Sequence, residues 1–311
     1  MTTVKDAADR VPAPTVQDLG NGFYTYVQLD GSWGLNNCGI FVGRTGALLV
    51  DTVFTVSRAR ALSKTLAGLT DKRVHTIVNT HHHGDHTYGN FAFPDAVVIG
   101  HQRCREAVLA TGLETTKWFP GVDFGEIRVM PPFVTFQDSL TVYCDDYRVE
   151  LRATEAPAHT NNDITAWVEE LGLLFAGDLV FHGGTPFVVM GSIEGLKRSL
   201  RSLQEYGAST IVPGHGTLCG PEVIRDQLDY LEFVQDLART SFDAGVPPLE
   251  AAHAADLGRF AEWTDSERLV GNLHRAYSEL RGEALGTPLD YDAIVDEMVS
   301  FNDGRPLRCL A

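Results

Sequence analysis

Apolar positions form short runs in the first two thirds of the chain and helical stripes in the last third. Phe23–Leu29 alternates with period two and predicts a strand, followed by the turn residues Asp30-Gly31-Ser32. Cys38–Val42 and Ala47–Val50 are apolar runs on either side of Gly43-Arg44-Thr45-Gly46, which predicts a hairpin. Val56–Leu69 has helical spacing, with Leu62, Leu66 and Leu69 on one face. Further strands are expected over Val74–Val78, Ala96–Ile99, Val134–Val142, Val149–Ala153, Ile164–Val168, Leu173–Phe175 and Thr210–Val212, with helices over Gln102–Thr111 and Ile193–Glu205. After Pro221 the pattern turns helical over Glu222–Phe242, Leu249–Ala255, Glu267–Gly282 and Tyr291–Val299. The chain therefore reads as an α/β, sandwich-like body over residues 1–220 and a helical extension over 221–311. Leu269, Leu273, Ala276, Tyr277 and Leu280 form an apolar stripe within that extension, suited to packing on the body or to a dimer seam; oligomeric state stays open.

Composition narrows the function. Hydrophobic residues make up 44% and charged residues 21% of the 311, the balance of an ordinary soluble globular protein. Forty-one acidic against 25 basic side chains leave a formal charge of −16, which argues against nucleic acid or an anionic membrane surface as partner. No apolar run approaches the ~20 residues of a membrane span. The opening MTTVKDAADR lacks the apolar stretch of a secretory leader. Five scattered cysteines without a C-x-x-C pair fit a reducing cytoplasm rather than a disulfide framework.

The chemistry concentrates in the histidines. Four of the 11 lie within His81-His82-His83-Gly84-Asp85-His86, directly after the strand Val74–Val78. In extended backbone His81 and His83 point one way and His82 the other, so two imidazoles can share one metal. Gly84 permits the turn that brings Asp85 and His86 round. Three more candidates follow apolar strands and are flanked by Gly or Pro: His159, Asp178 and His215. Five imidazoles and two carboxylates exceed the needs of one open tetrahedral site and suit two cations sharing a carboxylate and a water. The donor types fit zinc, and also iron, manganese or nickel. Asp51, at the end of Leu48-Leu49-Val50, is either a turn cap or an acceptor that fixes a ligand imidazole.

Asp51, His81-x-His83-x-Asp85-His86, His159, Asp178 and His215 come in an order and spacing that resembles the metallo-β-lactamase fold superfamily, over roughly residues 18–220. The resemblance implies an αββα sandwich with two zinc ions at one edge. His81, His83 and His159 would hold one ion, and Asp85, His86 and His215 the other, with Asp178 bridging. His83 stands where the flavodiiron branch carries Glu, which favours hydrolytic zinc over di-iron. Asp178 stands where true β-lactamases carry Cys or His, which counts against antibiotic hydrolysis. A further set is similar to the bifunctional cyclase–thioesterases of type II aromatic polyketide pathways, of the actinorhodin kind. It comprises Trp33 with Asn37-Cys38-Gly39, Trp118-Phe119-Pro120 with Asp123-Phe124-Gly125-Glu126-Ile127, Pro131-Pro132 with Val134-Thr135-Phe136, Ala158-His159-Thr160, Thr185-Pro186-Phe187, Leu273-His274-Arg275-Ala276 and the terminus Cys309-Leu310-Ala311.

That likeness implies aldol ring closure on a polyketide thioester held by an acyl carrier protein, then hydrolytic release. Asp85 or His182 would shuttle protons, His182 because it opens the loop just past Asp178. Trp33, Trp118, Phe119, Phe124 and Phe187 are candidates for the flat apolar walls an aromatic substrate needs. An acidic carrier would require a local basic face on this acidic chain, offered by Lys197, Arg198 and Arg201 or by Arg103, Arg105 and Lys117. The alternative is a generic metallo-hydrolase with the same ligands: a glyoxalase II-like thioesterase, a lactonase or a β-lactamase.

Overall fold

The computed structural model describes residues 13–311, so the expectation drawn from the first ten residues falls outside it. In chain order the elements are β1 (Thr15–Gly20), β2 (Phe23–Val27), β3 (Cys38–Val42), β4 (Ala47–Val50), α1 (Val56–Leu69), β5 (Val74–Val78), α2 (Gly84–Thr87), β6 (Val97–His101), α3 (Gln102–Thr111), β7 (Val134–Phe136), β8 (Ser139–Cys144), β9 (Tyr147–Ala153), β10 (Ile164–Val168), β11 (Leu173–His182), α4 (Ile193–Gln204), β12 (Thr210–Gly216), α5 (Glu222–Asp243), α6 (Pro248–Ala254), α7 (Arg268–Leu280) and α8 (Tyr291–Phe301).

Two sheets result. One runs β1-β2-β3-β4-β5-β6-β7, antiparallel through β4 and parallel from β4 to β7; the other runs β12-β11-β10-β9-β8. Strand alternation then sorts each apolar run between two faces. Phe41, Leu48, Val50 and Val78 point inward and meet Leu151, Ile164, Ala166 and Phe175 of the second sheet. Their neighbours Ile40, Leu49 and Ile77 point outward and are covered by Ala59, Leu62 and Leu66 of α1. On the far face of the second sheet, Trp167, Leu174 and Ala176 are covered by Leu196, Leu200 and Leu203 of α4, and α5 and α7 continue the same core. The layering is αββα, as expected.

Departures from the sequence reading have local causes. Val134–Val142 is two strands, because Gln137-Asp138 turns the chain from one sheet into the other. β1 was not anticipated: Val16 and Leu19 are too sparse to signal a strand, and backbone pairing to β2 makes it. β11 runs seven residues past Phe175, and β12 four past Val212, so both strands carry candidate ligands within them. The α7 stripe packs inward through Leu269, Leu273, Ala276 and Tyr277, while Leu280 at its end is exposed.

Candidate metal centre

The candidate ligands lie along one edge of the two sheets. Asp51 directly follows β4, and its φ of 62° turns the chain sharply. β5 ends at Asn79-Thr80 and delivers His81; the one-turn helix α2 then swings Asp85 and His86 back toward it. His159 sits in the loop between β9 and β10, where the Asp163 carboxylate accepts from Thr160 N and Thr160 Oγ1 at 2.8 and 2.6 Å. Asp178 and His215 come from the parallel pair β11 and β12, whose register breaks beside Gly177. Gly177 has a φ of 52°, and a Cβ there would press into Thr80. A Cβ on Gly214 would fall on Asp178 Oδ1, so only glycine lets β12 approach this closely. Asn37 pins the same loop by donating to Pro213 O and Gly216 O, both at 2.9 Å.

These elements bring the side chains into two adjoining groups. His81, His83, His159 and Asp178 each offer a ligand atom, and those atoms all lie within 4.8 Å of one another; Asp85, His86 and His215 do the same. Asp178 touches both groups, with Oδ2 3.3 Å from His159 Nε2 and 3.5 Å from His215 Nε2, and Oδ1 3.1 Å from His86 Nε2. Asp85 Oδ2 is 3.3 Å from His215 Nε2.

The outer nitrogens are held by neighbouring groups, which turns the inner ones toward one another. His86 Nδ1 is 2.8 Å from Asp51 Oδ2, and Asp51 also accepts from Thr80 N and Thr80 Oγ1, both at 2.7 Å. Asp51 is therefore the acceptor, and not merely a turn cap. His159 Nδ1 donates to Phe187 O at 2.5 Å and His215 Nδ1 to Gly31 O at 3.0 Å. The His83 ring puts Nε2 on Met190 Sδ at 3.1 Å, so Nδ1 faces His159 Nε2 at 2.9 Å. His82 is turned outward to Asn162, as alternation requires.

Three inner atoms, His81 Nε2, His86 Nε2 and Asp178 Oδ1, are buried without a hydrogen-bond partner. The short His86–Asp178 separation is off the line of a hydrogen bond, so it does not satisfy either atom. Unpaired buried polar atoms cost about 1–3 kcal/mol each, and a cation lying among them removes that cost. Charge leads to the same conclusion. Burial, and the neighbouring imidazoles, push His81 and His83 well below the usual histidine range. Burial also disfavours charge on His86 and His215, but Asp178 and the adjacent carboxylates outweigh it, raising His86 well above that range and His215 to about 9. Asp178, against its own burial, is held well below the carboxylate range by His86, His215 and His159. The donor set thus fits divalent cations bound by imidazole and carboxylate.

The sequence of this region matches the family description "Metallo-beta-lactamase superfamily" over residues 31–215. The chain belongs to that superfamily. Among curated relatives it is 31% identical to a hydroxyacylglutathione hydrolase of Rhodospirillum rubrum, over 50% of each chain. It is 27% identical to beta-lactamase-like protein 2 homolog of Caenorhabditis elegans, over 65% of this chain and 63% of the relative. It is 26% identical to the human acyl-coenzyme A thioesterase MBLAC2, over 47% and 57%. The chain spans about half the length of the first of these relatives. Among solved structures, the sec-alkylsulfatase Pisa1 from a Pseudomonas species superposes with a TM-score of 0.67 at 18% identity, over 90% of this chain and 52% of that one. The DIM-1 metallo-beta-lactamase superposes at 0.58 and 17%, over 72% and 99%.

Beside the ligand groups of this superfamily member lies a cavity with largely apolar walls, lined by Trp33, Trp118, Phe119 and Phe187 among others. Phe124 is not on that wall; it packs behind Phe54, ring centroids 4.9 Å apart. His182 is not on it either. Along β11 the side chains alternate, so Phe181 faces the cavity and His182 faces away, with Nδ1 2.9 Å from Thr217 O and from Thr217 Oγ1. Phe54, Phe181, Met190 and Arg268 line the cavity without having been singled out. Phe54 and Phe181 lie three residues beyond Asp51 and Asp178, a proximity that signals the first two; nothing local signals Arg268. Of the proposed docking cations, Lys197 is 7% exposed and donates to Gln235 Oε1 at 2.7 Å, so it belongs to the α4–α5 seam and not to a surface patch.

Proposed function

We propose that this chain is a zinc-dependent thioester hydrolase acting on a bulky, flat acyl group. The observation that carries the reading is the cluster of imidazoles and carboxylates with unpaired inner atoms, which reaches an aromatic-walled cavity through His83, Asp85, His159, Asp178 and His215. His81, His83 and His159 would hold one zinc, Asp85, His86 and His215 the other, and Asp178 both. Bound there, two such cations supply Lewis acidity for a carbonyl and acidify a water molecule. The chain's own groups do the rest. Asp51, Phe187 O and Gly31 O hold protons on the outer imidazole nitrogens and so fix which nitrogen faces inward. Asp85, half-buried at the rim between His215 and the cavity, is placed to take and return a proton. Trp33 packs edge to face on Phe187 and tilted against Phe119, offering flat walls that exclude water from the acyl group. Relatives named for hydrolysis of glutathione and coenzyme A thioesters support the thioester class.

A second reading, ring closure on a carrier-bound polyketide before release, is favoured by the same aromatic walls and by the polyketide cyclase-like motifs. An acyl carrier protein would then be the partner. Assays should cover S-lactoylglutathione, an acyl-coenzyme A, an aryl-acyl pantetheine thioester and nitrocefin. Chelation should abolish turnover of the aryl thioester and zinc should restore it. Full activity of the metal-free protein, or activity confined to nitrocefin, would overturn the thioesterase reading. Release of an uncyclised acid from a polyketide thioester mimic would remove the second.

A further inference from the structure

Arg268 opens α7, yet its guanidinium is 1% exposed and forms part of the cavity wall together with Asp178 and His215. It lies over the Trp33 ring, with Cζ 4.1 Å from the centroid, and 5.3 Å from the centroid of Phe181. Phe181 is in turn stacked on the His215 imidazole at 5.3 Å and 8°, so one ring separates the guanidinium from the metal centre. Trp33 is fixed from behind by its Nε1–H donating to Glu267 Oε1 at 2.8 Å.

The protein satisfies this cation only in part. Nη1 donates to Thr185 O at 2.9 Å. Nη2 is 2.8 Å from Asp265 Oδ2, but that oxygen and Arg268 Nε are both buried without a properly directed partner. A guanidinium is charged at every working pH and carries five N–H donors. An ordinary wall of an apolar cavity would not hold one with a donor unused, because a buried unsatisfied donor costs about 1–3 kcal/mol. An acceptor arriving with the substrate removes that cost. In a chain of net charge −16, Arg268 places a guanidinium on the cavity wall with Asp265 as its internal counter-charge.

We propose that Arg268 is a specificity-determining residue that takes an acidic oxygen of the acyl group, a carboxylate, enolate or phenolate, while the thioester lies toward the metal centre. The inference rests on the thioesterase reading for the rest of the substrate. It selects, within that class, acyl groups with an ionised or strongly polarised oxygen on the face away from the thioester.

The test is calorimetric titration of the full-length, metal-loaded protein with 2-naphthoate and with its neutral counterpart 2-naphthamide. The wild type should prefer the acid by about tenfold or more, the scale of one charge-assisted hydrogen bond. R268Q should cut that preference severalfold, and R268K, which keeps the charge and loses the fork, should retain part of it. D265N should increase it, since it removes the internal counter-charge; asparagine also tolerates the φ of 58° at that position. Circular dichroism melts show which variants fold, and if R268Q does not, D265N decides. Equal binding of acid and amide by the wild type, or a preference unchanged in the folded variants, overturns the proposal. The titration reads binding and not turnover, so a protein that hydrolyses no thioester still shows whether Arg268 selects the acid.

Discussion

Asp51 shows how a residue outside the ligand groups governs them. One carboxylate accepts from Thr80 N, Thr80 Oγ1 and His86 Nδ1, tying the end of β5 to α2 and leaving His86 Nε2 aimed at Asp178. Asp51→Asn keeps the shape but replaces one acceptor oxygen by an NH₂ group. Zinc affinity, measured by competition with a chromophoric chelator, should fall about 10–100-fold with little change in fold; unchanged affinity would mean that His86 is oriented by packing alone. The residues of this network were readable because their spacing carries the chemistry: alternation separates His82 from His81 and His83, and Gly84 leaves room for the Tyr88 ring where the chain turns into α2. His182 and Phe124 were misplaced for a complementary reason. His182 is close to Asp178 in sequence, but strand parity turns it to Thr217; Phe124 follows the cavity residues Trp118 and Phe119, but Phe54 stands between it and the cavity. Arg268 was unreadable, because no local pattern links the first turn of α7 to a site assembled before residue 220.

At the scale of elements, most boundaries followed from apolar runs, and the errors lie where a strand continues through functional residues. β11 passes through Ala176-Gly177-Asp178 and β12 through Pro213-Gly214-His215, sequences that carry turn signals. Their pairing to each other overrides those signals, and a register break beside Gly177 absorbs the strain. The segment joining α3 to β7 is a different kind of element. Its short 3-10 turn, Glu114–Trp118, is anchored to the first turn of α8 by Lys117 Nζ and Trp118 Nε1, which donate to Asp292 at 2.6 and 2.8 Å. Trp118 also lines the cavity, so this contact sets the position of one wall. Asp292→Ala should raise KM severalfold for an aryl-acyl thioester and leave kcat, and the KM of a small acetyl thioester, nearly unchanged. An equal effect on both substrates would show that the anchor serves the fold and not the wall.

For the molecule as a whole, the question is how far the fold depends on the centre it builds. Three apolar clusters, between the sheets, under α1 and under α4, α5 and α7, account for the layering without any ligand residue. Zinc binding should therefore add to stability rather than create it, unlike small zinc domains that unfold without metal. A ligand that binds only the folded state adds about 2.7 kcal/mol at a hundred times its Kd. Folded metal-free protein should thus melt cooperatively, about 4 °C below the zinc-loaded form for each zinc bound at that saturation, for a chain of this size. The buried inner atoms of His81, His86 and Asp178 supply the sign, since each is unsatisfied without a cation. A melting temperature insensitive to zinc would mean that the seven side chains do not hold metal in the folded protein. Complete unfolding on chelation would mean that the sheets cannot close while those imidazoles and carboxylates face one another bare.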